Sequence, residues 1–102
     1  MSLESLKMFS LEGKVAIVTG GSRGFGKSIA LALAGAGADV VVASRTQADL
    51  DAVAEEIKGM GRKALAISTD TSKEESIQNL AEKTIEEFGK IDILINNAGV
   101  GN

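Results

Sequence analysis

The segment whose residues most clearly suggest a chemical role is a glycine-rich loop sequence that directly follows a short apolar run. The glycine-rich run reads Thr19-Gly20-Gly21-Ser22-Arg23-Gly24-Phe25-Gly26, and helical periodicity begins inside it. A helix N-terminus offers amides without intrahelical partners and a partial positive charge, so it attracts phosphate groups. Gly20 and Gly24 would permit a sharp turn and a close backbone approach to phosphates, and Gly26 would let the helix pack close to the sheet. Taken alone, the run also fits an ordinary tight turn between a strand and a helix.

Four short apolar runs predict the strands that position this loop. They are Val15–Val18, Val40–Ala43, Ala64–Ile67 and Ile91–Ile95. Short runs rich in Val and Ile are typical of strands that are buried on both faces.

The stretches between these runs have helical spacing. The predicted apolar stripes are Ile29, Ala32, Leu33 and Ala36; Leu50, Val53, Ala54 and Ile57; and Ile77, Leu80, Ala81, Ile85 and Phe88. Helical crossovers imply parallel strands with helices on both faces. We therefore predict an α/β fold, a Rossmann-type doubly wound parallel sheet that is incomplete, in the order β-α-β-α-β-α-β.

Local signals predict where these helices begin and end. Thr46 is a candidate N-cap with Asp49 in the first turn, and Ser72 with Glu75 fits a capping box. Gly37, Gly59 and Gly89 follow the three helices, where a left-handed residue often ends a helix.

Composition excludes several kinds of chemistry. The chain has no Cys and no His, so it offers no thiol nucleophile, no disulfide and no imidazole base or metal ligand. A net charge of −3 gives no electrostatic reason to expect nucleic acid or an anionic membrane as a partner. No apolar run approaches the roughly 20 residues of a membrane span. We expect a soluble, cytoplasmic protein, with residues 1–10 as a leader or tag remnant and 11–102 as one partial domain.

A second motif, Asn96-Asn97-Ala98-Gly99, follows the fourth apolar run directly. Together with the glycine-rich run at this separation, it resembles the short-chain dehydrogenase/reductase family, from about Leu11 to Val100. The lead-ins Leu11–Lys14 and Phe88–Ile95 are similar to those of the family as well. Within the family, the chain resembles the carbonyl reductases and 3-oxoacyl-carrier-protein reductases.

The resemblance implies a set of cofactor-binding residues. It implies an NAD(P) site in which Asp70, after the third strand, contacts the adenine ring, although Asp70 also fits a helix-entry residue. The expected binding residues are Gly20, Ser22, Arg23, Gly24, Phe25, Gly26, Ser44, Arg45, Asp70, Thr71, Asn97, Ala98 and Gly99.

The end of the second strand favours NADP over NAD. An acidic residue there would accept bonds from the ribose hydroxyls and repel a 2′-phosphate. Here the segment Ser44-Arg45-Thr46 supplies a guanidinium and two hydroxyls instead, and Asp39 lies at the opposite end. Arg23 could add a second positive charge, although both arginines also fit ordinary solvated surface residues.

The family's chemistry, by resemblance, uses a Ser, a Tyr-x-x-x-Lys pair and a later Asn, all beyond the fourth strand. The chain contains no Tyr, so no catalytic residue is assigned, and Asn96 and Asn97 are not that catalytic Asn. We expect the cofactor-binding half of an oxidoreductase that is inactive alone. We also expect it to occur as a homo-oligomer or with a C-terminal half.

Three other interpretations remain open. The first is a non-catalytic NADP-binding module that senses the cofactor or supports a partner. The second is an interaction-only protein, because half a sheet exposes an edge. The third is a methyl-donor-binding Rossmann domain, which is disfavoured because such domains also need an acid where Arg45 stands.

Overall fold

A computed structural model describes residues 10–97, in which seven elements alternate along the chain. The four apolar runs form strands and the three periodic stretches form helices, as predicted. The elements are β1 (Val15–Thr19), α1 (Gly24–Gly35), β2 (Asp39–Ser44), α2 (Gln47–Gly59), β3 (Ala64–Ser68), α3 (Glu74–Phe88) and β4 (Ile93–Asn96).

All strand pairs are parallel, and the sheet has the order β3-β2-β1-β4. The chain moves outward from β1 to β2 and β3, then returns to the other side of β1 to form β4. This reversal creates a switch point between β1 and β4, and open α/β sheets bind ligands outside the carboxyl ends of strands at such points.

The core lies on both faces of the sheet. On one face Val18, Val40 and Val42 pack with apolar residues of α1 and α2, among them Ala30 and Leu50. On the other face Ile17, Val41 and Ile67 pack with Leu80 of α3. Two helices therefore cover one face and a single helix covers the other, which confirms the doubly wound architecture.

The start of β4 and the buried face of α1 differ from the prediction. The strand begins at Ile93 rather than Ile91, because its pairing with β1 starts at Ala16 opposite Ile93. In α1 the buried residues are Gly26, Ala30 and Ala34, whereas Ala32 of the predicted stripe is exposed. A row of small residues at i, i+4 and i+8 lets the helix backbone lie close to the sheet, and Ile29 and Leu33 flank it, half-buried.

Two helix-end predictions are wrong in detail. Lys73, not Ser72, occupies the N-cap of α3, so the predicted capping box with Glu75 does not form. Gly59 is the last residue of α2, and Gly61 has the left-handed φ of 86° instead. Gly89 does end α3 in the left-handed conformation, as predicted. Thr46 occupies the N-cap of α2, without a side-chain cap bond.

The face covered by α3 leaves apolar surface in contact with solvent. Leu94 of β4 is 62% exposed although its register partner Ile17 is buried beneath α3. Ile77 and Ile85, two members of the predicted α3 stripe, are also nearly half exposed. None of the helices within residues 10–97 is long and apolar enough to cross a membrane.

Candidate functional site

A cavity of about 320 Å³ opens at the carboxyl ends of β1, β2 and β3. Parallel strands bring their carboxyl ends to the same edge of the sheet, so three loops that are distant in sequence meet there. The lining residues are Gly20, Ser22, Arg23, Ala43, Ser44, Arg45, Thr46, Thr69, Asp70, Thr71 and Ser72.

The loop from β1 supplies a turn followed by a helix N-terminus. Gly20 and Gly24 have φ angles of 69° and 59°, which side chains other than glycine rarely adopt. The Gly20 amide donates to the carbonyl of Ala43 at 2.7 Å, which fixes the turn against the end of β2. Arg23 occupies the N-cap of α1 without a side-chain bond to the helix. The first-turn amides are therefore left without a side-chain cap, and such amides can bind an anion.

Gly26 brings the first turn of α1 against the backbone of the glycine turn. A Cβ atom at this position would collide with the carbonyl of Gly20 and lie 2.7 Å from Nδ2 of Asn97. Asn97 is buried, and its backbone amide donates to Oγ1 of Thr19 at 3.0 Å. The same Thr19 hydroxyl donates to Oδ1 of Asn96 at 2.9 Å. These bonds tie the end of β4 to the end of β1 beneath the glycine turn.

The loop after β2 places hydroxyl groups and a guanidinium at the cavity. Ser44 Oγ donates to Ser22 Oγ at 3.2 Å, which joins this loop to the glycine turn. Arg45 lines the cavity from the same loop, and Arg23 lines it from the β1 loop. The only acidic residue of β2 is Asp39 at its opposite end, where Oδ1 accepts the Lys63 amide at 3.0 Å. The cavity edge at β2 is therefore basic and hydroxyl-rich.

Among residues 10–97, Asp70 in the loop after β3 is the only carboxylate that lines the cavity. Oδ1 of Asp70 accepts the Ser72 hydroxyl at 2.6 Å and the Ser72 amide at 2.9 Å. The hydroxyl bond and then the amide bond lower the pKa of Asp70, and the positive charges of Arg45 and Lys73 add to this effect. Asp70 is therefore ionised at neutral pH and can accept a hydrogen bond from a ligand.

The cavity brings together seven of the residues that the sequence predicts to bind a ligand: Gly20, Ser22, Arg23, Ser44, Arg45, Asp70 and Thr71. Gly24, Phe25 and Gly26 lie in the first turn of α1, outside the lining, and the Phe25 side chain is 74% exposed. Asn97 lies beneath the turn, and the predicted residues Ala98 and Gly99 fall outside residues 10–97.

Thr46, whose hydroxyl the sequence analysis places at the end of β2, also lines the cavity, whereas sequence reasoning missed the polar lining residues Thr69 and Ser72. Their position in the sequence could have identified them, because both belong to the segment that directly follows β3. Ser72 was interpreted only as a helix cap.

Residues 14–102 match the protein family described as short chain dehydrogenase, which covers most of the chain. The chain belongs to the short-chain dehydrogenase family. Members of this family of oxidoreductases bind nicotinamide dinucleotides, and the sheet order and the glycine turn agree with that membership.

Relatives of this chain include an uncharacterized oxidoreductase from Mycobacterium tuberculosis, with 52% identity over 92% of the chain and 36% of the relative. The 2-dehydro-3-deoxy-D-gluconate 5-dehydrogenase of Escherichia coli is 43% identical over 93% of the chain and 37% of its own length. A crystal structure of hydroxysteroid dehydrogenase from Escherichia coli superposes with a TM-score of 0.88 and 42% identity, over 92% of this chain and 40% of that one. The chain thus spans well under half the length of these relatives.

Proposed function

We propose that this chain is the NADP-binding half of an oxidoreductase that transfers hydride between a nicotinamide and a carbonyl or alcohol substrate. One observation carries the proposal. Arg23 and Arg45 line a single cavity with the glycine turn, and the residues that end β2 include no carboxylate. Family membership indicates a nicotinamide dinucleotide, and the positive charge of the two arginines at the cavity favours NADP over NAD.

The pyrophosphate of the cofactor would bind at the N-terminus of α1. The uncapped first-turn amides and the left-handed turn at Gly20 fit a group that the backbone must approach closely. The space around Gly24 is compatible with this placement, because a Cβ atom there would find no atom within 4 Å apart from its chain neighbours and the backbone of its own helix. Phe25 and Gly26 follow in the same turn and are proposed cofactor contacts or supports.

The 2′-phosphate would bind between the β1 and β2 loops. A guanidinium matches the planar, bidentate geometry of phosphate recognition and keeps its charge at all accessible pH values. The Ser22 hydroxyl lies at the junction of these two loops, where it accepts a bond from Ser44 Oγ and keeps its own O–H as a neutral donor. NAD would lose this interaction without gaining a carboxylate acceptor for its ribose hydroxyls, since β2 ends at Ser44.

The adenine would lie toward the β3 loop, with the carboxylate of Asp70 and the adjoining Thr71 as its contacts. Asn97, Ala98 and Gly99 are proposed to approach the cofactor from the end of β4.

The bound cofactor would supply or accept the hydride, and this chain's own residues would bind and orient the cofactor. Because the chain contains no Tyr, the acid/base group implied by the family resemblance is absent from it, and no catalytic residue is assigned. The names of two relatives carry different substrates, a dehydro-deoxy-gluconate and a hydroxysteroid, so the proposal stops at the carbonyl or alcohol class. As partners we propose a second copy of the chain or a C-terminal half, and the cytoplasm remains the predicted location.

Calorimetric titration with NADP and NAD tests the cofactor assignment. We expect NADP to bind more tightly, and Arg45→Asp to weaken NADP binding about tenfold or more while sparing NAD, as expected for the loss of a charge-assisted contact. Lys63→Asp is the matched control, because it changes the net charge equally at the amino end of β3, away from the cavity. Equal or tighter binding of NAD by the unmodified chain would overturn the assignment.

A further inference from the structure

Ser72 makes an unexpected contact for a residue that precedes a helix. Its sequence position fits a helix cap, yet its hydroxyl donates to Oδ1 of Asp70 at 2.6 Å, and Lys73 holds the N-cap of α3. Among residues 10–97, this is the only hydrogen bond of the Ser72 hydroxyl. The side chain therefore acts on Asp70 rather than on the helix.

Asp70 is held at both its main chain and its side chain. Its amide donates to Oγ of Ser76 at 2.8 Å, and its carbonyl accepts the Lys73 amide at 3.0 Å. Both Ser72 bonds fall on the same carboxylate oxygen, Oδ1. Within residues 10–97, Oδ2 has no hydrogen-bond partner.

One carboxylate oxygen is thus anchored within the loop and the other is available to a ligand in the cavity that Asp70 lines. A carboxylate with one oxygen fixed by two donors cannot rotate freely, so its second oxygen is presented in a set direction. Binding gains when such ordering is complete before the ligand arrives.

We propose that Ser72 is a positioning residue for nucleobase recognition, which fixes the carboxylate of Asp70 so that Oδ2 accepts a hydrogen bond from the exocyclic amino group of adenine. This inference rests on the proposed function, because it requires the adenine to lie beside Asp70. The Ser72 hydroxyl would thereby contribute to base specificity, which the main-chain bonds of Asp70 alone would not provide.

The chemistry of this contact distinguishes adenine from hypoxanthine. Adenine carries a 6-amino donor, whereas hypoxanthine carries a 6-oxo acceptor that an ionised carboxylate repels. A fixed acceptor therefore favours adenine, and a carboxylate free to turn away discriminates less. A purely structural role for Ser72 would change the affinity for both bases alike.

The test compares binding of adenosine 2′,5′-bisphosphate and inosine 2′,5′-bisphosphate to the 102-residue chain by NMR titration, which also measures weak affinities. We expect the unmodified chain to prefer the adenosine ligand. Ser72→Ala should reduce that preference about three- to tenfold, which is the usual effect of one hydrogen bond. Ser72→Thr keeps the hydroxyl and should retain the preference. Ser10→Ala, at an exposed serine outside the cavity, should behave as the unmodified chain.

The outcomes separate the two claims. Undiminished preference in Ser72→Ala, or equal loss of affinity for both ligands, overturns the positioning role while leaving the proposed function intact. If neither ligand binds the unmodified chain, the proposed function fails, and the inference fails with it.

Discussion

Substitutions at three glycines should separate the stability of the fold from the binding of the nucleotide. At Gly26 an added Cβ atom collides with the backbone carbonyl of Gly20, which cannot rotate away as a side chain could. At Gly24 the added atom meets nothing within 4 Å, but the φ of 59° is unfavourable for any side chain. Gly59, the last residue of α2, has neither problem and serves as the control.

The expected magnitudes follow from these environments. Overpacking costs about 1–3 kcal/mol, and the rigid neighbour at Gly26 argues for the upper end. A gain of up to about 1 kcal/mol in helix propensity offsets part of this cost, which leaves a net loss of about 2 kcal/mol for Gly26→Ala. In a domain of this size that loss lowers Tm by about 8–16 °C. Gly24→Ala should cost about 1–2 kcal/mol, and Gly59→Ala should be neutral or stabilising.

Thermal unfolding followed by circular dichroism, together with NADP titration, measures both properties. Gly24→Ala should weaken nucleotide binding and Gly24→Val should abolish it, with a modest loss of stability, because the added side chain would occupy the space proposed for a phosphate. Gly26→Ala should show the larger drop in Tm. Equal Tm values for the Gly26 and Gly59 variants would refute the steric argument, and normal NADP binding by Gly24→Val would refute the phosphate site.

Three further predictions concern activity, association and pH. The purified 102-residue chain should not oxidise NADPH with any carbonyl substrate, because it lacks Tyr; turnover in a spectrophotometric assay would contradict this. The chain should self-associate through the free edge and exposed face of β4, so light scattering should show concentration-dependent assembly that Leu94→Lys reduces; a monomer unaffected by the substitution would count against it. The Val15 amide, which donates to Oδ2 of Asp92 at 2.8 Å, and then Lys90 lower the pKa of Asp92. A carboxylate whose pKa is lower in the folded than in the unfolded state stabilises the fold at pH values above its unfolded pKa of about 3.9. This stabilisation is lost as the pH falls from the unfolded pKa through the folded pKa. Asp92→Asn should therefore be less stable than the unmodified chain in urea at pH 7, with the difference shrinking at pH 3; a constant difference would argue against the bond.

The strands were predictable because strands buried on both faces consist of continuous apolar residues, so Val15–Val18 and Val40–Ala43 stand out without structural information. The first residue of β4 could not be predicted, because Ile91 and Ile93 are equally apolar and only the pairing with Ala16 determines where the strand begins. The buried face of α1 was missed for a related reason. Hydrophobic spacing ranks Ile and Leu above Ala and Gly, whereas close packing on the sheet selects Ala30 and Ala34.

The candidate site was predictable as a set of loops but not as a cavity. The glycine turn and the basic end of β2 follow from motif and position, and the parallel topology brings them together. The role of Ser72 was hidden because a serine before a helix has two competing hydrogen bonds, one to a helix amide and one to a neighbouring carboxylate. Only the three-dimensional position of Asp70 decides between them.

The cavity at the carboxyl ends of β1, β2 and β3 is proposed to bind a phosphorylated dinucleotide. The decisive experiment is a titration of the isotope-labelled chain with NADP, followed by backbone amide chemical shifts. We expect the largest shifts on Ser22, Arg23, Arg45 and Ser72, and a smaller shift of the Arg45 amide with NAD than with NADP. Shifts confined to other surfaces, or no saturable shift at the glycine turn, would contradict this proposal.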